Sequence, residues 1–116
     1  MQPTQHLDED MMIELQEIME DEFDVLLQTY LTDAVIKLES IDSALTERDH
    51  VKLRESAHSL KGSSSNIGAL PLSGLCANIE NLARENQISE AQKIIGGVRA
   101  EYEHVKSLLE EKLTHL

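Results

Sequence analysis

The 116-residue chain is poor in several things: one cysteine, two prolines, no tryptophan, one phenylalanine and two tyrosines. A lone Cys76 excludes an intrachain disulfide and fits a reducing compartment. With only Phe23, Tyr30 and Tyr102 to supply rings, the core must be built from aliphatic side chains. Pro3 and Pro71 leave long stretches without a helix breaker. No run approaches the ~20 apolar residues that span a bilayer, and no basic segment precedes an apolar one as in a secretory signal. These absences lead us to expect a cytoplasmic protein that does not engage membranes.

Positive charge is missing from one end. Residues 1–36 hold ten Asp or Glu and no Lys or Arg, whereas residues 37–116 hold ten basic and twelve acidic residues. The net charge of -12 disfavours nucleic acid and anionic membranes as partners, because both reward basic surfaces. Between Arg48 and Lys61 the balance reverses, with Arg48, Lys52, Arg54 and Lys61 against Asp49 and Glu55. Such a segment suits an anionic partner, although ordinary surface mixing produces similar counts.

What the sequence does have is Leu, Ala, Glu and Ile at helical spacing, which predicts an all-α fold. No repeat or composition break divides the chain, so residues 1–116 read as one domain with residues 1–6 as a frayed tail. Asp8 opens a short helix carrying Met11, Met12, Leu15, Ile18 and Met19. Asp21 is placed to cap a second, in which Phe23, Leu27, Tyr30, Leu31, Ala34, Leu38, Ile41 and Leu45 form one stripe. A third begins near Asp49 and turns Leu53, Ala57, Leu60, Ser64 and Ile67 inward; Gly68 suits its C-terminal cap. Pro71 fits the start of a fourth helix burying Leu72, Leu75, Cys76, Ile79, Leu82 and Ala83. Ser89 and Gln92 have capping-box spacing before a fifth, with Ala91, Ile94, Val98, Tyr102, Val105 and Leu109 inward. Four long amphipathic helices with short connections predict an antiparallel four-helix bundle, covered in part by the short N-terminal helix. Gly96-Gly97 falls inside the fifth helix, where close packing, a kink or a contact surface would each account for it.

Chemistry concentrates in Ala57-His58-Ser59-Leu60-Lys61-Gly62-Ser63-Ser64-Ser65. At 100° per residue, His58 lies roughly 140° from the centre of the core stripe. Arg54, Lys61, Gly62 and Ser65 share its exposed surface. A surface histidine or lysine is usually only solvated. Gly62 is less easily dismissed, because a mid-helix glycine away from the core sacrifices stability without a packing gain. It removes the side chain one turn beyond His58 and opens the imidazole to a bulky partner. Lys61, at i+3, can reach a phosphoryl oxygen carried on that ring.

The run His58-x-x-Lys61-Gly62-Ser63-Ser64, followed by Gly68-Ala69, resembles the signature of histidine phosphotransfer (HPt) domains of two-component phosphorelays. The resemblance extends over the whole helical pattern and implies a stand-alone bacterial-type carrier. It implies that His58 is phosphorylated, that Lys61 stabilises the phosphoryl charge, and that Gly62 makes room for the incoming receiver domain. Ser63 and Ser64 match the small residues that let this helix pack closely. In several family members a glutamine on the following helix bonds near the phosphoryl group. The corresponding position here is Glu80, one turn before Arg84. A carboxylate would repel phosphohistidine, so three readings stay open: orienting His58, pairing with Lys61, or an ordinary exposed glutamate.

The implied partners are receiver domains of hybrid sensor histidine kinases and of response regulators. Docking residues would include Arg54, Ser65, Glu80 and Arg84, with Leu15, Ile18 and Met19 as apolar contacts from the cover helix. The chain itself would need no cofactor, the Mg2+ coming from the receiver. Without a Gly-rich phosphate loop it should neither bind ATP nor phosphorylate itself, and a monomer is expected. Two rivals stand beside this reading. Glu55-x-x-His58 and Glu101-x-x-His104 have the ligand spacing of di-metal bundles, but Glu55 and His58 point away from the core and His104 lies well off the stripe of Val98, Tyr102 and Val105. A module that signals by docking alone is the other. His6, His50, His104 and His115 read as surface or terminal residues.

Overall fold

The computed structural model describes residues 5–116. Five α-helices follow one another: α1 (Glu9–Met19), α2 (Phe23–Glu47), α3 (His50–Asn66), α4 (Leu70–Arg84) and α5 (Ile88–Thr114), with a 3-10 turn at Glu20–Glu22 between the first two. Helices α2 to α5 each pack on the next, and α2 also meets α5, which closes a four-helix bundle. The connections from α2 to α3, α3 to α4 and α4 to α5 are two or three residues long. Links that short force each helix to return antiparallel beside its predecessor.

The interior is aliphatic, as the composition demands. Leu27, Ile41, Leu53, Leu60, Leu72, Ile79 and Leu109 are fully enclosed, and Phe23 and Tyr102 supply the ring volume. Each such side chain contributes roughly 1.5–3 kcal/mol of burial free energy. The polar atoms inside are paired. Tyr30 Oη lies 2.8 Å from Ser64 Oγ, and burial shifts the Tyr30 phenol upward, the Ser64 hydrogen bond offsetting part of the shift. Cys76 is fully enclosed, and burial pushes its thiol up to about 12.

Caps explain where α3 begins and ends. Arg48 takes a left-handed conformation (φ 54°) that stops α2, and the Asp49 carboxylate then accepts a 3.0 Å hydrogen bond from the Lys52 amide. Asp49 thus starts α3 as its sequence position predicts. At the far end Gly68 (φ +80°) donates to the Ser65 carbonyl at 3.1 Å. Its own carbonyl accepts from the Asp8 amide at 2.8 Å, fastening α1 to the α3–α4 turn. A Cβ on Gly68 would meet Asp8 and the Met11 sulfur at 3.4 Å, so conformation and space both call for glycine.

Four expectations need correction. Asp21 does not cap α2. It lies in the 3-10 turn, and Glu22 precedes α2 in a near-helical conformation (φ -91°, ψ 0°) without a side-chain bond. The chain turns from α1 into α2 without the extended residue that a side-chain cap requires. The Ser89–Gln92 capping box does not form, because buried Ile88 already opens α5 one residue earlier. Ile94 is exposed and Ile95 packs instead, since Ile94 sits about 60° off the stripe through Ala91, Val98 and Leu109. Lastly, the frayed tail does not extend to residue 6. His6 Nδ1 is 2.7 Å from Glu101 Oε2, its ring stacks on His104 with centroids 4.3 Å apart, and Leu7 is buried. His6 is therefore not a loose terminal residue, and His104, exposed as expected, is its stacking partner. The expectation for residues 1–4 lies outside the described residues.

Candidate functional site

Helix α3 turns Leu53, Ala57, Leu60 and Ser64 fully into the core, which leaves the opposite face to Arg54, His58, Gly62 and Ser65. His58 keeps 67% of its side-chain surface in solvent. Gly62 beside it is exposed, and a Cβ there would meet nothing within 4 Å. Packing within this chain does not explain that glycine. Lys61 lies at the edge of the face, partly covered.

Helix α4, the neighbour packed most extensively on α3, brings Glu80 to the same place. Ile79 and Ala83 anchor α4 in the core, so Glu80 emerges at the α3–α4 seam with only 7% of its side chain exposed. One carboxylate oxygen, Oε2, lies 2.8 Å from His58 Nδ1 and 3.3 Å from an Arg84 guanidinium nitrogen. The other, Oε1, lies 2.7 Å from Lys61 Nζ. Arg84 is steadied by a 2.7 Å bond to Asn81 Oδ1. The Ser73 hydroxyl of α4 donates to the Lys61 carbonyl at 3.0 Å and ties the helices together beside the site. Arg54, Glu55, His58, Glu80 and Arg84 line a shallow, open depression.

Of the three readings left open for Glu80, the exposed glutamate is overturned, and the other two hold at once. The carboxylate contacts His58 and Lys61 through different oxygens. Burial alone would raise the Glu80 carboxyl, but the hydrogen bonds from Lys61 and His58 outweigh it and hold the group below its ordinary value. Glu80 is thus ionised at neutral pH. An ionised carboxylate only accepts, so the ring proton of a neutral His58 resides on Nδ1. Nε2 then carries the free lone pair, on a ring that keeps most of its surface in solvent.

The arrangement therefore offers one exposed imidazole with a fixed tautomer, cations at Lys61, Arg84 and Arg54, and open space over Gly62. Ile18 is exposed on α1, while Leu15 and Met19 are half-buried against the core. The two Glu-x-x-His pairs do not assemble an inward metal site: Glu55 and His58 face solvent on α3, and Glu101 is engaged by His6.

Residues 25–108 match the model of the Hpt domain. The chain belongs to the Hpt domain family. Its fold superposes on a crystal structure of histidine-containing phosphotransfer protein B (HptB) from Pseudomonas aeruginosa PAO1, with TM-score 0.93, 39% identity and 96% of each chain covered. It is also similar in fold to the HPT domain of an Hpt sensor hybrid histidine kinase from Shewanella, with TM-score 0.78, 21% identity and 96% of each chain covered. No curated protein matches the chain. As a member of this family the chain is a histidine phosphotransfer carrier, and the family works with receiver domains of two-component systems. No helix among the described residues is long and apolar enough to cross a membrane.

Proposed function

We propose that His58 accepts a phosphoryl group from a receiver-domain aspartate of a hybrid sensor histidine kinase and passes it to the receiver of a response regulator. The observation that carries this reading is the His58–Glu80 hydrogen bond, which leaves Nε2 as the free nucleophile on an exposed ring. The reaction is an in-line displacement with a loose transition state, which needs positioning and charge neutralisation more than covalent assistance. Lys61 stands one turn from His58 and neutralises part of the phosphoryl charge. Gly62 leaves room for the receiver to approach along the N–P axis.

The remaining neutralisation falls to a Mg2+ ion held by the receiver, whose carboxylate-lined pocket also complements Arg54 and Arg84. Ser65 and Ile18 extend the contact face, with the half-buried edges of Leu15 and Met19. Partners set the direction of flow, and the carrier works as a cytoplasmic monomer without kinase activity of its own. The test is phosphotransfer from a panel of phosphorylated receiver domains to wild type and to His58→Gln. Rapid acid-labile, base-stable labelling of wild type, absent from the variant, is expected. Equal labelling of both proteins would remove His58 from the chemistry.

A further inference from the structure

We propose that Glu80 is a positioning residue that keeps the Nδ1 proton on the ring of phosphorylated His58, so that the phosphoryl group stays ready to leave. This rests on His58 being the phosphorylated residue.

In the accepting step, the Nε2 lone pair attacks phosphorus in the receiver's aspartyl phosphate. An N–P bond forms, the P–O bond breaks, and its electron pair leaves with the aspartate carboxylate. No proton has moved, so the product is a phosphoimidazolium with Nδ1–H still directed at Glu80. Donation is the reverse, and a neutral imidazole departs. If Nδ1 lost its proton in between, donation would have to expel an imidazolide anion, a far poorer leaving group. Whether that proton stays determines whether the carrier is a stable store or a ready donor.

The surroundings favour retention. From α4, Glu80 and Arg84 face the ring; from α3, Arg54 and Glu55 do, and Lys61 meets Glu80 from behind it. On α2, Lys37 reaches the Ser59 carbonyl but is paired with Asp33. Arg54 and Glu55 offset one another, so Glu80 with Lys61 and Arg84 leaves one net positive charge. A dianionic phosphoryl on a protonated ring carries one net negative charge, and the two balance. Loss of the ring proton would leave the cluster one negative charge in excess beside a buried carboxylate. Lys61 can also turn from Oε1 towards the phosphoryl oxygens, which leaves Glu80 more fully to Nδ1–H.

The experiment labels the histidines with 15N, phosphorylates wild type and Glu80→Gln with phosphoramidate, and follows the ring nitrogens by two-bond 1H–15N spectra from pH 5.5 to 9. Wild type should keep the Nδ1 proton to a pH at least about one unit higher than Glu80→Gln, as expected for loss of a charged hydrogen-bond acceptor. Transfer to a receiver domain should then stay flat to a correspondingly higher pH in wild type. In the variant it should fall about tenfold per pH unit above the point where the ring deprotonates. If the variant does not fold, the wild-type titration is compared with a phosphohistidine peptide of residues 54–62, and the same difference is expected. Coincident titrations and parallel pH–rate profiles, with phosphate on His58, would overturn this inference alone. Phosphate found on another residue would take the proposed function down with it.

Discussion

Among the described residues an imidazole–carboxylate pair is built twice. At the α3–α4 seam His58 bonds Glu80 at 2.8 Å, and at the N-terminal end of the described chain His6 bonds Glu101 at 2.7 Å. Both carboxylates are nearly enclosed, at 7% and 11% exposure, so the pairs look alike by distance and burial. They differ in what surrounds them. His58 is open to solvent, and its carboxylate is shared with Lys61 and Arg84. His6 is largely covered, and its ring is stacked on His104. A hydrogen bond to a carboxylate fixes an imidazole in either place. The first pair stands open to solvent, with cations beside it to meet an anion. The second is a fastening for the chain entering α1.

The sharpest way to break this contrast is to remove each imidazole in turn. His58→Gln should abolish phosphotransfer, whereas His6→Gln and His104→Gln should leave its rate within about twofold. His6→Gln should instead lose about 0.5–1.5 kcal/mol of stability in urea unfolding, the usual worth of one hydrogen bond, and His104→Gln, which removes only the stacked ring, should lose less. A large loss of transfer in His6→Gln would mean that the second pair takes part in the chemistry or in receiver docking.

Most of the first region could be read from the sequence. The stripe Leu53, Ala57, Leu60 and Ser64 fixes the outward direction of His58 by helical phase alone, and Asp49 and Gly68 mark the limits of α3 through capping chemistry. The fate of Glu80 could not be read the same way. It depends on how α4 is rotated against α3, which follows from how Ile79, Ala83 and Leu60 fit together in space. The His6–Glu101–His104 group was hidden for a related reason. Its first two members are separated by 95 residues along the chain, and no local pattern reports a contact made by bundle closure. Asp21 and Ser89 misled because capping motifs are judged on side-chain type, while the backbone at those points is set by the 3-10 turn and by the burial of Ile88.

Glycine offers a second way to sharpen the contrast. Gly62 lies beside His58 on α3, and Gly96 and Gly97 lie on α5, all with open space where a Cβ would sit. Gly62→Ala should raise stability by about 0.5–1 kcal/mol through helix propensity, and yet slow transfer roughly tenfold or more by displacing the receiver from its line of approach. A variant that is more stable and transfers as fast would remove the proposed role of Gly62.

Acid should separate the Glu80 cluster from the rest of the fold. The folded Glu80 carboxyl lies below its ordinary value, so its contribution to stability is present above the unfolded value of ~4.3 and is lost as pH falls through the folded value. Wild type should therefore exceed Glu80→Gln most clearly at pH 7, and the gap should narrow by pH 3. Urea unfolding of both proteins at the two pH values measures this. A gap that is unchanged at pH 3 would mean that Glu80 acts through its shape and not its charge.

The smallest expected effect decides what Gly96-Gly97 is for. Close packing is excluded, because a Cβ added at either position would meet no atom within 4 Å, and α5 runs unbroken from Ile88 to Thr114. Gly96→Ala and Gly97→Ala should each stabilise the protein by up to about 1 kcal/mol, read as a higher urea midpoint with unchanged slope. If the glycines serve nothing in the carrier reaction, transfer rates stay at the wild-type value, and α5 is then distinguished from α3 by function as well as position. If either alanine slows transfer as Gly62→Ala does, the docking face extends from α3 onto α5, and the division between a reactive region and a structural one would have to be redrawn there.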